Sequence, residues 1–288
     1  MHQCHAPSPS HPTGYGPARS WPAQLDLQLV AGHSRTQLKN MVFSGPLRIQ
    51  RPFYPEGQTC HLYLLHPPGG LVSGDCLNID IEAGPGSRSL LTTPSAGMVY
   101  RRDSAGVGQG QRVRVRLEED AELEWLPQET IVFRGANAGL DLHIELGEGA
   151  RFIGWELVCL GRPAGEQWFD AGSLTQRLQL WRSGRLLFNE RLQLEAGDQV
   201  HQGRAGLHGG CVFGTLLAAG SGLNDDVIAV LRASLPPGFS VTERLGVLLV
   251  RYLGHDMIAC RDGMWRAWER LRPAVLAREA CFPRIWFT

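Results

Sequence analysis

From Leu25 onward the chain repeats with a period of two. Leu25, Leu27 and Leu29 alternate with Asp26 and Gln28; Val113, Val115 and Leu117 alternate with Arg114 and Arg116. Leu140, Leu142, Ile144 and Leu146 alternate with Asp141, His143 and Glu145. Successive side chains of an extended strand point to opposite faces, so this pattern specifies sheet with one packed face and one wet face. Apolar and β-branched runs predict further strands at residues 36–42, 47–51, 61–65, 77–81, 89–93, 152–160, 174–181 and 186–194. Gly84-Pro85-Gly86, Gly147-Glu148-Gly149 and Ser183-Gly184 punctuate them. Proline has no amide to donate and glycine reaches backbone angles barred to other residues, which is what tight turns require. Such a run fits a sandwich, a barrel or a solenoid, and the period alone does not choose among them.

Two segments near the C-terminus change the period. Asn224-Asp225-Asp226 is suited to cap a helix whose apolar side is Val227, Ile228, Val230, Leu231 and Leu235, and Pro236-Pro237-Gly238 stops it. A second helix is predicted at residues 262–271, with Trp265, Trp268 and Leu271 in one stripe. Pro273 is expected to end or kink it, since proline inside a helix costs roughly 3 kcal/mol. Between them residues 247–253 read as a buried strand. Residues 1–21, rich in Pro, Ser, Gly and His without apolar periodicity, are expected to form a disordered tail. The remainder, 22–288, parses as one β-rich domain.

Composition excludes several function classes. The formal charge is zero, which gives no bulk attraction for nucleic acid or another polyanion. Lys39 is the only lysine among 28 basic residues, and no glycine run precedes it, so there is neither a phosphate-binding P-loop nor a second amine for Schiff-base chemistry. The seven cysteines are scattered, with no CxxC pair, and imply reduced thiols rather than a disulfide framework or a structural zinc site. With no signal-like segment and no stretch of membrane-spanning length, the expectation is a soluble, cytoplasmic protein.

Candidate chemistry is confined to carboxylates and a few soft ligands. Glu122, Glu124 and Glu129 surround Trp125, and a carboxylate pair beside an aromatic platform suggests a stand-alone glycoside hydrolase using Glu124 and Glu129. The plainer reading of Glu122 and Glu124 is a solvated strand face. His2, Cys4, His5 and His11 offer at most weak affinity for a divalent ion, and His61 and His66 point to opposite faces of a strand. Asp75, Glu156 and Glu190 differ from these. Asp75 follows a glycine turn, Glu156 lies in an apolar strand with Phe152, Ile153, Leu157 and Val158, and Glu190 follows Leu187-Phe188. A carboxylate among apolar neighbours is costly to bury unless paired or hydrated. Each therefore belongs either to a structural salt bridge or to a hydrated, oxygen-lined passage along which a cation moves through weak steps.

A set of ordered motifs goes further. His66-Pro67-Pro68-Gly69-Gly70, Ser73-Gly74-Asp75 and Leu90-Leu91-Thr92-Thr93-Pro94 are followed by Leu123-Glu124-Trp125-Leu126-Pro127-Gln128-Glu129, Trp155-Glu156 and Leu160-Gly161-Arg162. Asn189-Glu190-Arg191 and Pro283-Arg284-Ile285-Trp286 complete the series. In this order, over residues 47–288, they resemble the urease accessory protein UreD (UreH) family. The resemblance implies an irregular, solenoid-like (β-helical) sheet arrangement carrying two helices, and a non-enzymatic role. It implies a cytosolic complex with UreF and the GTPase UreG, docked on the urease apoprotein, that delivers nickel to the urease active site. No tightly bound cofactor is implied, only transient nickel. Asp75, Glu156 and Glu190 are then candidates for the nickel passage, and Trp265, Trp268, Arg284 and Trp286, of types enriched at binding hot spots, for a partner interface.

Overall fold

The alternating stretches become neighbouring strands, with Leu25, Leu27, Leu29, Val113, Val115 and Ile144 all at most 2% exposed. The computed structural model describes residues 20–288. Its strands open with β1 (Trp21–Ala31), β2 (Thr36–Ser44), β3 (Arg48–Ile49), β4 (Cys60–Leu65), β5 (Asp75–Ala83) and β6 (Arg88–Thr92). There follow β7 (Gly97–Val99), β8 (Gln109–Leu117), β9 (Glu122–Leu126), β10 (Thr130–Val132), β11 (Asn137–Leu146), β12 (Arg151–Leu160), β13 (Ser173–Arg182) and β14 (Arg185–Glu195). The C-terminal part mixes helix and strand as α1 (Gln199–Gln202), β15 (Val212–Ala219), α2 (Asp225–Ser234), β16 (Phe239–Arg244), β17 (Val247–Gly254) and α3 (Met257–Leu276).

These strands form two mixed, open sheets, and neither closes into a barrel. The first runs β14-β13-β11-β8-β5-β1-β2, parallel from β13 to β1 and antiparallel at both edges. The second runs β16-β17-β15-β12-β9-β6-β4-β3, parallel from β12 to β4, with the short β10 and β7 attached beside β12. From β4 to β13 the chain steps back and forth between the two sheets, β7 and β10 apart. The first sheet turns its apolar face inward and leaves its outer face wet, where Arg114 and Arg116 are about 60% exposed. The second is covered on its outer face by α3, which packs on β12, β15 and β17. Gly214 of β15 makes that approach possible. A Cβ there would stand 2.7 Å from Leu157 and 3.2 Å from Met264 of α3.

Helices α2 and α3 are the two the sequence predicts. A third, the single turn α1, forms where the Asp198 side chain accepts the His201 amide. Helix α3 starts earlier than the tryptophan stripe suggests, because Asp256 caps it by accepting the amides of Ile258 and Ala259. It also runs through Pro273 instead of ending there. Pro273 sits in the last turn, where the ring costs a single backbone bond, and the helix stops at Ala277 in the left-handed region (φ 53°). The sequence reading omits β7, β10, β15 and β16. All eight residues of β15 are buried, so that strand shows no alternation to detect. Trp21 already belongs to β1, and the rest of the expected tail, with His2, Cys4, His5 and His11, lies outside the described residues. No helix among the described residues is long and apolar enough to cross a membrane.

Candidate functional site

Glu156 and Glu190 come together on the inner faces of the two sheets. Glu156 of β12 is in register with Thr215 of β15, which is in register with Arg251 of β17, so the three side chains form one row across the second sheet. Glu190 reaches this row from β14 of the facing sheet. Its Oε1 accepts from Thr215 Oγ1 at 3.2 Å, and its Oε2 accepts from Arg251 Nη2 at 2.6 Å and Nε at 3.2 Å. Thr215 thus stands between the two carboxylates.

The two acids differ in their surroundings. Glu190 is about one-third exposed and ion-paired. Glu156 is 6% exposed and, among the described residues, has a single hydrogen-bond partner, the Trp125 indole N–H at 2.9 Å. Burial pushes its carboxyl up to about 7, and the indole hydrogen bond offsets this only in part. The gap it faces is lined by Gln111, Leu140, Leu142, Gln176 and Leu178 of the first sheet and leaves no room for a water-sized sphere. Gln176 is itself 5% exposed, so amide groups reach the same interior as the carboxyl. The position of Trp125 depends on Gly154, its register partner, where a Cβ would approach Trp125 Cβ to 2.9 Å and Phe152 Cζ to 2.5 Å.

Asp75 stands apart. It opens β5, its Oδ2 accepts the Val72 amide at 2.8 Å, and burial raises its carboxyl above the usual range despite nearby His66. His66 is pushed down by the same burial. Among the described residues no hydrogen bond or ion pair joins Asp75 to Glu156 or Glu190. The structure therefore links two of the three passage candidates and leaves the third at the end of a neighbouring ladder, two residues before Leu77, the register partner of Gln111.

The second group of carboxylates is not solvated. Glu122 and Glu124 are 1% and 0% exposed, so the expected wet strand face is covered. What covers it is the basic C-terminal part of the chain. Arg272 of α3, itself fully buried, donates to both oxygens of Glu124 at 3.0 Å and to Glu56 at 2.5 Å, and the Trp268 indole donates to Glu124 at 2.7 Å. His61 Nε2 lies 2.7 Å from Glu56. Burial alone would raise the Glu56 carboxyl, but the His61 and Arg272 contacts outweigh it and hold the group down at about 2. Glu122 is gripped by Arg151 and Arg278, with Arg88 at 3.7 Å. A Glu124 so occupied has no oxygen left for acid–base work on a glycoside. Trp125, 1% exposed, offers no sugar platform.

The four aromatic and arginine interface candidates also divide. Trp268 is fully buried and belongs to the core. Trp265 and Trp286 are half-buried and stack face to face at 4.9 Å, with Trp286 also donating to Thr92 Oγ1 at 2.8 Å. Arg284 is exposed, as is Phe287 beside it. Sequence reasoning missed Thr215 and Arg251. The available signal was a lone polar residue inside each of the apolar stretches Phe213–Ala219 and Val247–Leu253. Among the described residues no group of three or more His, Cys, Asp or Glu side chains is arranged to hold a metal ion.

Residues 22–287 match the family model described as UreD urease accessory protein. The chain is 46% identical over 285 residues to a urease accessory protein UreD from Marinobacter nauticus, covering 94% of each chain. It is 44% identical to one from Pseudoalteromonas translucida, over 94% of this chain and 92% of that protein. A third, from Saccharophagus degradans, is 41% identical over 96% of both.

Proposed function

The chain belongs to the UreD urease accessory protein family, and from that premise we propose that it carries nickel between the sheets of a scaffold assembled with UreF, the GTPase UreG and the urease apoprotein. It is an accessory protein in urease maturation and not the catalyst. The observation that carries the reading is the row Glu156–Thr215–Arg251 with Glu190 set across it. The carboxyl and hydroxyl oxygens of Glu156, Thr215 and Glu190 are embedded between two apolar sheet faces. Borderline cations such as Ni²⁺ bind isolated carboxyl, hydroxyl and amide oxygens weakly, so such a row passes an ion on where a Cys/His cage would keep it. Transit requires the sheets to part around Glu156, since the gap there is closed at rest. Asp75, beside the His66–Gly70 turn, is the third oxygen ligand at one end of the route.

The back-and-forth path from β4 to β13 supports reading the parallel ladders as coils of an irregular solenoid. Residues 22–288 are read as one domain, at work in the cytoplasm with the assembly it serves. Trp265, Trp286 and Arg284 form the surface offered to UreF, with Trp268 anchoring it from below. The test replaces Asp75, Glu156 and Glu190 by their amides, singly and together, in the chain co-expressed with its partners. The expected result is intact co-purification with UreF, lower nickel per urease, and a triple variant little worse than the worst single one, because the positions act along one route. Dissolution of the UreF complex by each substitution, or full urease activation in all of them, overturns the reading.

A further inference from the structure

The two sheets do not meet along their outer edges. β14 ends the first sheet and β16 ends the second, and no described strand pairs with the free side of either. Between β14 and the β16–β17 turn a cleft of about 460 Å³ opens to solvent, within the roughly 300–1,000 Å³ range usual for ligand clefts. Its walls include Leu186, Phe188, Leu245 and Leu249, and Leu186 and Leu245 are 38% and 51% exposed. Two guanidinium groups enter this apolar setting. Arg251 is engaged by Glu190, whereas Arg244 is exposed and has no ion-pair partner among the described residues. The cleft therefore carries one uncompensated positive charge, flanked by leucines that water solvates poorly.

We propose that this cleft docks an extended segment of a partner protein carrying a carboxylate between apolar side chains. The unpaired edge of β14 offers backbone donors and acceptors to an added strand, and an added strand presents every second side chain to the same face. A carboxylate on that face meets Arg244, and the apolar residues on either side of it cover Leu186 and Leu245. Aspartate or glutamate is required at the centre, because a lysine there would meet Arg244 and Arg251 together. A small free anion would satisfy Arg244 and leave the leucines bare, so it fits half of the surface. The inference stands apart from the nickel route, since docking needs neither Glu156 nor any metal ion.

The test uses the full chain and a dye-labelled capped peptide built on Leu-Ser-Glu-Ser-Leu, which sets both leucines and the glutamate on one strand face, titrated by fluorescence anisotropy without nickel. The same peptide with lysine in place of the glutamate is the charge control. The wild-type chain is expected to bind the glutamate peptide and not the lysine peptide. Arg244→Glu and Leu245→Asp should each weaken binding at least tenfold. Both positions are exposed, and circular dichroism should report unchanged folds. No binding at millimolar peptide, equal binding of the lysine peptide, or undiminished binding by folded Arg244→Glu would overturn the proposal. A Glu156→Gln chain that delivers nickel normally and binds the peptide like wild type would count against the route alone, so the two readings fail separately.

Discussion

Replacing Glu156 with glutamine should stabilise the protein, and by an amount that depends on pH. In the folded chain the Glu156 carboxyl titrates near 7, against 4.5 for the free group, because burial between the sheets disfavours the charged form. Below about pH 4.5 the group is protonated in both folded and unfolded chains and contributes nothing to pH dependence. Between 4.5 and 7 the unfolded chain gives up its proton first. It then binds fewer protons than the folded chain, and stability falls as pH rises. Above 7 both states are ionised and the penalty is constant. Each pH unit in that window costs about 1.4 kcal/mol, so the accumulated penalty is about 3 kcal/mol. Glutamine keeps an oxygen to accept the Trp125 indole N–H and carries no charge, so it mimics the protonated acid at every pH. Urea unfolding followed by circular dichroism should show Glu156→Gln more stable than wild type by about 3 kcal/mol at pH 8 and by under about 1 kcal/mol at pH 5. Comparing the same pair of proteins at two pH values cancels the titration of other groups such as Glu56. A variant with the same stability difference at both pH values, or one destabilised at pH 8, would refute the claim that Glu156 is buried without a counter-charge.

The Glu124–Arg272–Glu56 cluster should behave in the opposite way. Arg272→Ala leaves two buried carboxylates without their shared cation and should cost about 3–5 kcal/mol in urea unfolding, whereas Glu124→Leu with Arg272→Met should recover most of that loss. If the double variant is as unstable as the single one, the cluster is not an isolated ion pair. At the C-terminus, Arg284→Ala should weaken UreF capture in pull-down while leaving the circular dichroism spectrum unchanged, since Arg284 is exposed. An unfolded variant would instead make this segment a packing element.

The sheet was legible in the chain because half-buried strands announce themselves by alternation, and the three clearest stretches all lie in the sheet whose outer face is wet. The signal fades where a strand is covered on both sides. β15, between α3 and the opposite sheet, is buried along its whole length with Thr215 its one polar side chain, and so shows no alternation. The same limit misled the reading of Glu122 and Glu124. Glu-Leu-Glu-Trp has the rhythm of a wet face, and locally nothing contradicts it. The arginine that neutralises Glu124 lies 148 residues downstream on α3, and its partnership exists only once the helix has folded back over the sheet. Glu190 shows the same thing at closer range. The adjacent Arg191 points to the other face, and the pairing is with Arg251, 61 residues away.

Charge balance separates the carboxylates by what they are free to do. On the outer face of the second sheet, Glu122 has Arg151 and Arg278, and Glu124 and Glu56 share Arg272. Those acids are fully occupied, and a cation arriving there would have to displace a buried guanidinium. On the inner face the balance is different. Among the described residues Glu156 has no cation, and Glu190 has one arginine at a site open to the cleft. Near neutral pH Glu156 is poised between its protonated and ionised forms, so an arriving divalent ion can displace a proton rather than an arginine. On the proposed route, the same burial that makes Glu156 a burden on stability would let it hold a cation briefly. Glu156 is the acid at which an ion on that route would displace a proton, whereas Glu190 is held on both oxygens by Thr215 and Arg251 and would have to give up its arginine.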